Sequence, residues 1–219
     1  MNKRSNGKMK YRMLSILGLV IFFGVWEAAV RLGWVSHRSL NAPSEVVETF
    51  IYKLTNANPD GSTLPQHFFQ SLKLALTSFI IATIIGVPLG WIMGYYKVAD
   101  FLLNPLFEII RPIPPIAWIP IVILTMGIGM SAKVFIIFVA AFVPNVINSY
   151  LGIRLTDATL INVAKTFGAS DWKIFTTVCI PSSMNMVFTG IRLSLNASWT
   201  TLVAAEMLAS IRGLGYMIQ

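Results

Sequence analysis

Long apolar runs alternate with shorter polar segments along this chain. About 20 mostly apolar residues are needed for a helix to cross the hydrocarbon layer. Five runs approach that length: Met13–Val30, Leu72–Gly94, Ile113–Ile128, Val134–Leu151 and Met186–Ala209. The pattern predicts an all-α integral membrane protein, a helical bundle with five spans. The longest polar stretch, Arg31 to Ser71, separates the first two runs. Within it, Ser44 is placed to cap a short helix whose start Glu45 and Glu48 favour. Val46, Val47, Phe50, Ile51 and Leu54 make that helix amphipathic, suited to the membrane surface. Asn56 to Gly61 reads as a loop.

Glycine and proline divide the rest. Gly86, Gly90 and Gly94 recur every four residues, which lets a neighbouring helix approach one face of the second span. Arg111-Pro112-Ile113-Pro114-Pro115 reads as a rigid entry to the third span, since proline suits a first turn but breaks a helix interior. Gly127-Ile128-Gly129 marks a tight turn, and Pro144 is expected to bend the fourth span. Between the last two spans, Arg154 to Ser183 is polar and carries both charge signs. Gly168 divides it into two short helical pieces, the second ended by Pro181.

Composition agrees. The 219 residues are 55% hydrophobic and only 12% charged, against about a quarter charged in soluble domains, so much of the surface faces something other than water. The net charge is +8. Lys3, Arg4, Lys8, Lys10 and Arg12 crowd the first twelve residues without an acid. Beside an apolar span, such a tail marks a cytoplasmic flank; no basic face with interleaved aromatics follows that would read nucleic acid. With the N-terminus inside, the cytoplasmic side holds more Lys and Arg than the other. The first run also resembles a secretory leader, but it nearly reaches full span length and lacks a small-residue cleavage site before Trp26 and Glu27, so it reads as a retained span. Cys179 is the one cysteine, which excludes an intrachain disulfide and a thiolate metal site. His37 and His67 read as solvated loop histidines. The sequence holds no Gly-rich phosphate loop with lysine, no metal-ligand cluster and no nucleophile–base set. Neither an enzyme, a cofactor nor a metal is expected.

The fifth span carries a polar row. Asn185, Thr189, Arg192, Asn196 and Thr200 share one face at about 100° per residue, with Glu206 near its edge. Polar groups in a membrane helix face the bundle interior or a water-filled cavity, so the row is a candidate translocation path in which Arg192 attracts an anion. The alternative is hydrogen bonding between helices, with Arg192 snorkelling to the interface. Ser194, Ser198 and Thr201 fall on the opposite face and suit helix packing.

The loop Asn162-Val163-Ala164-Lys165-Thr166-Phe167-Gly168-Ala169-Ser170, continuing to Val178-Cys179-Ile180-Pro181, resembles the coupling loop of binding-protein-dependent ABC importer permeases. Ala164, Gly168 and Pro181 match its Glu-Ala-Ala, Gly and Ile-x-Leu-Pro pattern at the right spacing; Val178 and Ile180 are aliphatic replacements. Asn162 stands for the Glu and Val163 for the first Ala. Arg111–Pro120, Gly127–Gly129, Leu202–Met207 and Arg212–Tyr216 look like the nitrate/sulfonate/taurine subfamily. The resemblance covers roughly Ser71 to Gln219. It implies an importer-permease (MetI-like) bundle, and since family members carry a sixth span after the Gly-Leu-Gly-Tyr segment, a C-terminally truncated sequence is expected. It implies a multi-pass protein of the bacterial cytoplasmic (inner) membrane, paired with a second permease subunit (a homodimer or a similar chain), two cytoplasmic ATP-binding subunits and an extracytoplasmic solute-binding protein. Asn162, Ala164, Gly168, Val178, Ile180 and Pro181 would then couple to the ATPase. The implied solute is a small anion: a sulfonate such as taurine, nitrate, or an organic acid. Glu206 would touch the binding protein, gate the path, or pair with Arg212. The domain plan is a basic tail (1–12), a first span with its extracytoplasmic segment (13–71), and a permease core (72–219) containing the coupling loop (154–183). The competing reading is an ion-coupled secondary transporter or channel. No internal repeat supports it, and it leaves the structured loop unexplained.

Overall fold

A computed structural model describes the backbone of residues 3–36, 40–209 and 213–218, all helix, turn or loop among the described residues. The chain divides into two compact units, Met1–Pro65 and Gln66–Gln219.

In the first unit, α1 (Lys3–Arg31) contains a span-length segment, Tyr11–Arg31. After it comes α2 (Pro43–Thr55). The expected cap at Ser44 is displaced by proline: Pro43 takes the first helical position, so Ala42 becomes the cap residue. The Glu45 carboxylate accepts the Ala42 N–H at 3.2 Å. Ser44 bonds Glu27 instead, its N–H donating at 3.1 Å and its hydroxyl at 2.8 Å. Lys53 is buried, donating to Asp60 and, at 3.0 Å, to the Ser62 carbonyl.

The second unit is built on α3 (Leu64–Tyr95, its first two residues in the first unit), α6 (Met130–Arg154) and α9 (Ile180–Ala209). The second span thus starts eight residues earlier than its apolar run. His67 lies within it, fully buried, and is not a solvated loop residue; His37 falls outside the described residues. Small residues bring the three helices together. A Cβ on Gly90 would stand 2.5 Å from the Val146 carbonyl oxygen, and one on Gly94 2.8 Å from Ile153. On the other side of α6, Gly152 meets Ser183 and Gly190 meets Asn148, each at 2.8 Å. Asn145 donates to Thr83 at 3.1 Å and Ser194 at 2.8 Å, joining all three helices. Three apolar clusters follow one another along α6, around Ile136, Val146 and Ile153.

The third span is not one helix. α4 (Lys97–Ile110) and a 3-10 turn (Pro115–Trp118) leading into α5 (Ile119–Met126) meet at an 88° bend. Pro112, Pro114 and Pro115 break the ladder there. Among the described residues, four helices are long and apolar enough to cross a membrane, or five counting the bent pair as one. Asp100 near the start of α4 is ion-paired with Arg154 at the end of α6.

Candidate functional site: the protruding loop and the polar face of α9

After α6 the chain forms α7 (Ala158–Thr166) and α8 (Asp171–Ile174), runs through a π-turn (Phe175–Cys179), and enters α9. Each short helix has its own cap. The Asp157 carboxylate accepts the Thr159 N–H at 2.7 Å, which holds its carboxyl below the ordinary carboxylate range. The Ser170 hydroxyl accepts the Lys173 N–H at 3.4 Å.

The turn between them explains the spacing of Ala164 and Gly168. Gly168 has φ +72°, the left-handed conformation that glycine adopts without penalty. Its N–H donates to the Lys165 carbonyl at 2.9 Å, and the Ala169 N–H donates to the Ala164 carbonyl at 3.1 Å. That pair of bonds is a Schellman C-cap, with Ala164 and Ala169 as its apolar contact. Both alanines pack on the buried cluster of Ile153, Ile174, Phe175 and Cys179, as do Val178 and Ile180. Asn162 points to the exposed side. Pro181 does not end the second piece: helix runs continuously through it, the π-turn immediately before it widening the ladder where proline supplies no N–H. The Tyr95 hydroxyl donates to the Asp171 carbonyl at 3.0 Å, fastening α3 to the start of α8.

The loop's outer side carries large apolar side chains among polar ones. Phe167 is 86% exposed and Trp172 65%, with Leu160 and Val163 about half exposed. Sequence periodicity missed these because it treats an exposed apolar side chain as buried; the signal was an aromatic immediately before the turn glycine.

On α9 the structure brings Asn185, Thr189, Arg192, Asn196 and Thr200 together as one exposed row. Thr189 and Thr200 donate back to the carbonyls of Asn185 and Asn196, at 3.0 and 3.1 Å. Arg192 has no acidic partner among the described residues. Phe188, Leu193, Leu195 and Trp199 flank the row and are themselves exposed. Ser194 and Ser198 lie on the buried side.

Glu206 is set apart from that row. It is fully buried. Its carboxylate accepts the Ser71 hydroxyl at 2.7 and 2.9 Å and the Gly215 N–H at 2.9 Å. Ser71 in turn accepts the Leu214 N–H, and His67 Nδ1 the Gly213 N–H, both at 2.9 Å. The carboxylate thus clasps the segment after α9 onto α3. Arg212, its other candidate partner, lies outside the described residues.

Residues 86–219 match the family described as the inner membrane component of binding-protein-dependent transport systems. The chain belongs to this family. An ABC transporter permease of Brucella melitensis is 36% identical over 214 residues, 98% of this chain and 84% of the relative. The taurine transport system permease of Escherichia coli is 34% identical over 209 residues, 94% of this chain and 75% of the relative. The bicarbonate transport system permease of Synechococcus elongatus is 30% identical over 227 residues, 98% and 81% of the two chains. The chain is an ABC importer permease embedded in a membrane, not an enzyme. The family model takes in α6, the loop, α9 and the glycine-rich segment after it.

Proposed function

We propose that this permease forms the translocation path for a small anion in the bacterial inner membrane and that a separate ATPase drives it by pressing on the loop Ala158–Ile174. The observation that carries the reading is the exposed loop: capped at both helices, turned at Gly168, and bearing exposed Phe167 and Trp172 on its outer side. An apolar knob of that kind suits a groove on a partner, and buried aromatics anchor interfaces. Helix continues from Asp171 to Ala209, so displacement of the loop is transmitted along one rod to the polar row. From Asn185 to Thr200 the row extends about 22 Å, much of the thickness of the hydrocarbon layer.

The row itself supports a path. A lipid-facing arginine near mid-helix costs on the order of 3 kcal/mol or more, so Arg192 and its neighbours are better placed against water. A cation flanked by hydroxyls and amides attracts an anion. Relatives named as permeases for taurine, aliphatic sulfonates and bicarbonate support a small oxyanion; the proposed solute is a sulfonate such as taurine, nitrate or an organic acid. The working assembly is two permease subunits, two ATP-binding subunits inside and a solute-binding protein outside. The excess of Lys and Arg supports a cytoplasmic position for the N-terminus and the Ala158–Ile174 loop.

The test is co-purification with candidate ATPase subunits, repeated with Gly168→Asp. A complex formed by the parent and lost in the variant is expected. If neither binds, an ion-coupled transporter becomes the reading to pursue. Arg192→Gln is expected to abolish uptake and leave ATPase binding intact; unchanged uptake and anion selectivity would remove Arg192 from the path.

A further inference from the structure

The amphipathic helix α2 has a role that import does not assign. α1 is a membrane span ending at Arg31. Glu27, one turn from that end, accepts both the N–H and the hydroxyl of Ser44 and the Arg31 Nε–H at 2.5 Å. The first turn of α2 is therefore fastened at the level where α1 leaves the apolar layer. Along α2, Val46, Val47, Phe50, Ile51 and Leu54 occupy an arc of about 140°, and each is 41–60% exposed within the chain. Lys53 falls beside this stripe but does not charge it, because its ammonium is held by Asp60 and the Ser62 carbonyl. Trp34, just after α1, is exposed, and tryptophan favours membrane interfaces.

We propose that α2 is an interfacial helix whose apolar stripe lies in phospholipid, in the leaflet that the C-terminal end of α1 reaches. The occupant is lipid because the stripe is pinned beside a span end and no free charge interrupts it. With Arg31 and Lys53 both engaged, attachment rests on apolar burial rather than on anionic headgroups.

The experiment uses the full chain carrying Cys179→Ala, with Ile51→Cys, Val47→Cys or Glu48→Cys added singly. Each protein is reconstituted in phosphatidylcholine vesicles and labelled with an environment-sensitive fluorophore. Spin-labelled lipid is expected to quench the Ile51 and Val47 labels about threefold more than the Glu48 label, and aqueous iodide the reverse. Adding phosphatidylglycerol is expected to change neither ratio. The two stripe positions are independent, so a reconstitution failure at one leaves the other to decide. Equal iodide quenching at all three positions would overturn the proposal. So would shielding of Ile51 that arises only when the solute-binding protein is added, which would make the stripe a protein dock.

Discussion

Replacing Glu206 tests whether the buried clasp holds the end of α9 to α3. In Glu206→Ala the Ser71 hydroxyl and the Gly215 N–H both lose their acceptor in a buried setting. Each unsatisfied donor costs about 1–3 kcal/mol, so the loss is roughly 2–6 kcal/mol. For a chain of this size 1 kcal/mol shifts the midpoint by about 2–4 °C, which gives a fall on the order of 10 °C. Glu206→Gln keeps one acceptor oxygen but turns a donor toward the other partner, and is expected to lose about half as much. Cys179, the single cysteine and 1% exposed, supplies the assay: a thiol-reactive dye labels it only as the bundle opens. Ser71→Ala combined with Glu206→Ala should fall short of the sum of the single losses by about 1 kcal/mol or more, as contacting residues do. A midpoint within about 1 °C of the parent for Glu206→Ala, or strict additivity in the pair, would refute the clasp.

Phe167→Ala should leave thermal stability almost unchanged, since the ring is exposed. It should weaken ATPase binding about tenfold to a hundredfold, as expected for about 1.5–3 kcal/mol of lost burial in a partner groove; titration by light scattering or calorimetry would measure it. Gly90→Ala places a Cβ 2.5 Å from a backbone oxygen of α6 and should cost about 1–3 kcal/mol. Gly129→Ala, with nothing within 4 Å and an extended φ of −171° at the N-cap of α6, should cost under about 1 kcal/mol, the preference of a cap for glycine over alanine; the dye assay compares the two. Asp157 has a depressed carboxyl pKa in the folded chain because the Thr159 N–H stabilises its charged form. Its contribution is therefore present above the unfolded value of about 3.9 and is lost as pH falls through the lower folded value. Amide exchange at the start of α7, corrected for intrinsic rates, should rise only below about pH 4, and Asp157→Asn should remove that dependence while keeping the cap.

Most of the bundle was legible because the membrane imposes a length and a periodicity on the sequence. Four apolar runs marked helices that the structure contains, and Gly86, Gly90 and Gly94 lie where α3 meets α6. The misreadings arise where local signals are weak or are overridden by a neighbouring residue. α4 is 14 residues long with Lys97, Asp100 and Glu108 on it, so its apolar stripe was too brief to read as part of a span, and the third span was drawn as Ile113–Ile128, without α4. Ser44 was a sound cap by residue type, but Pro43 moved the helix start ahead of it. Pro181 was read as a stop; a π-turn let the helix pass through.

The coupling-loop pattern was readable for a physical reason that family resemblance alone does not supply. Ala at one position and Gly four later is what a Schellman cap requires when its apolar contact must be small enough to seat on the bundle. Ala164 and Gly168 meet that requirement here although Asn162 and Val163 depart from the rest of the pattern. The turn is fixed by residues that face inward, and the proposed docking surface would be formed by residues that face outward. Asn162 is on the outward side, so replacing the family's acid there leaves the turn intact. By contrast, the clasp around Glu206 was unreadable from sequence. Its partner Ser71 lies 135 residues away, and His67 and Gly213 are 146 apart. An acid near a span end suggests a gate as readily as a tether until those bonds are seen. The bonds tie Glu206 to Ser71 and Gly215, which leaves Asn185, Thr189, Arg192, Asn196 and Thr200 as the exposed polar row along the middle of α9, with Arg192 at its centre.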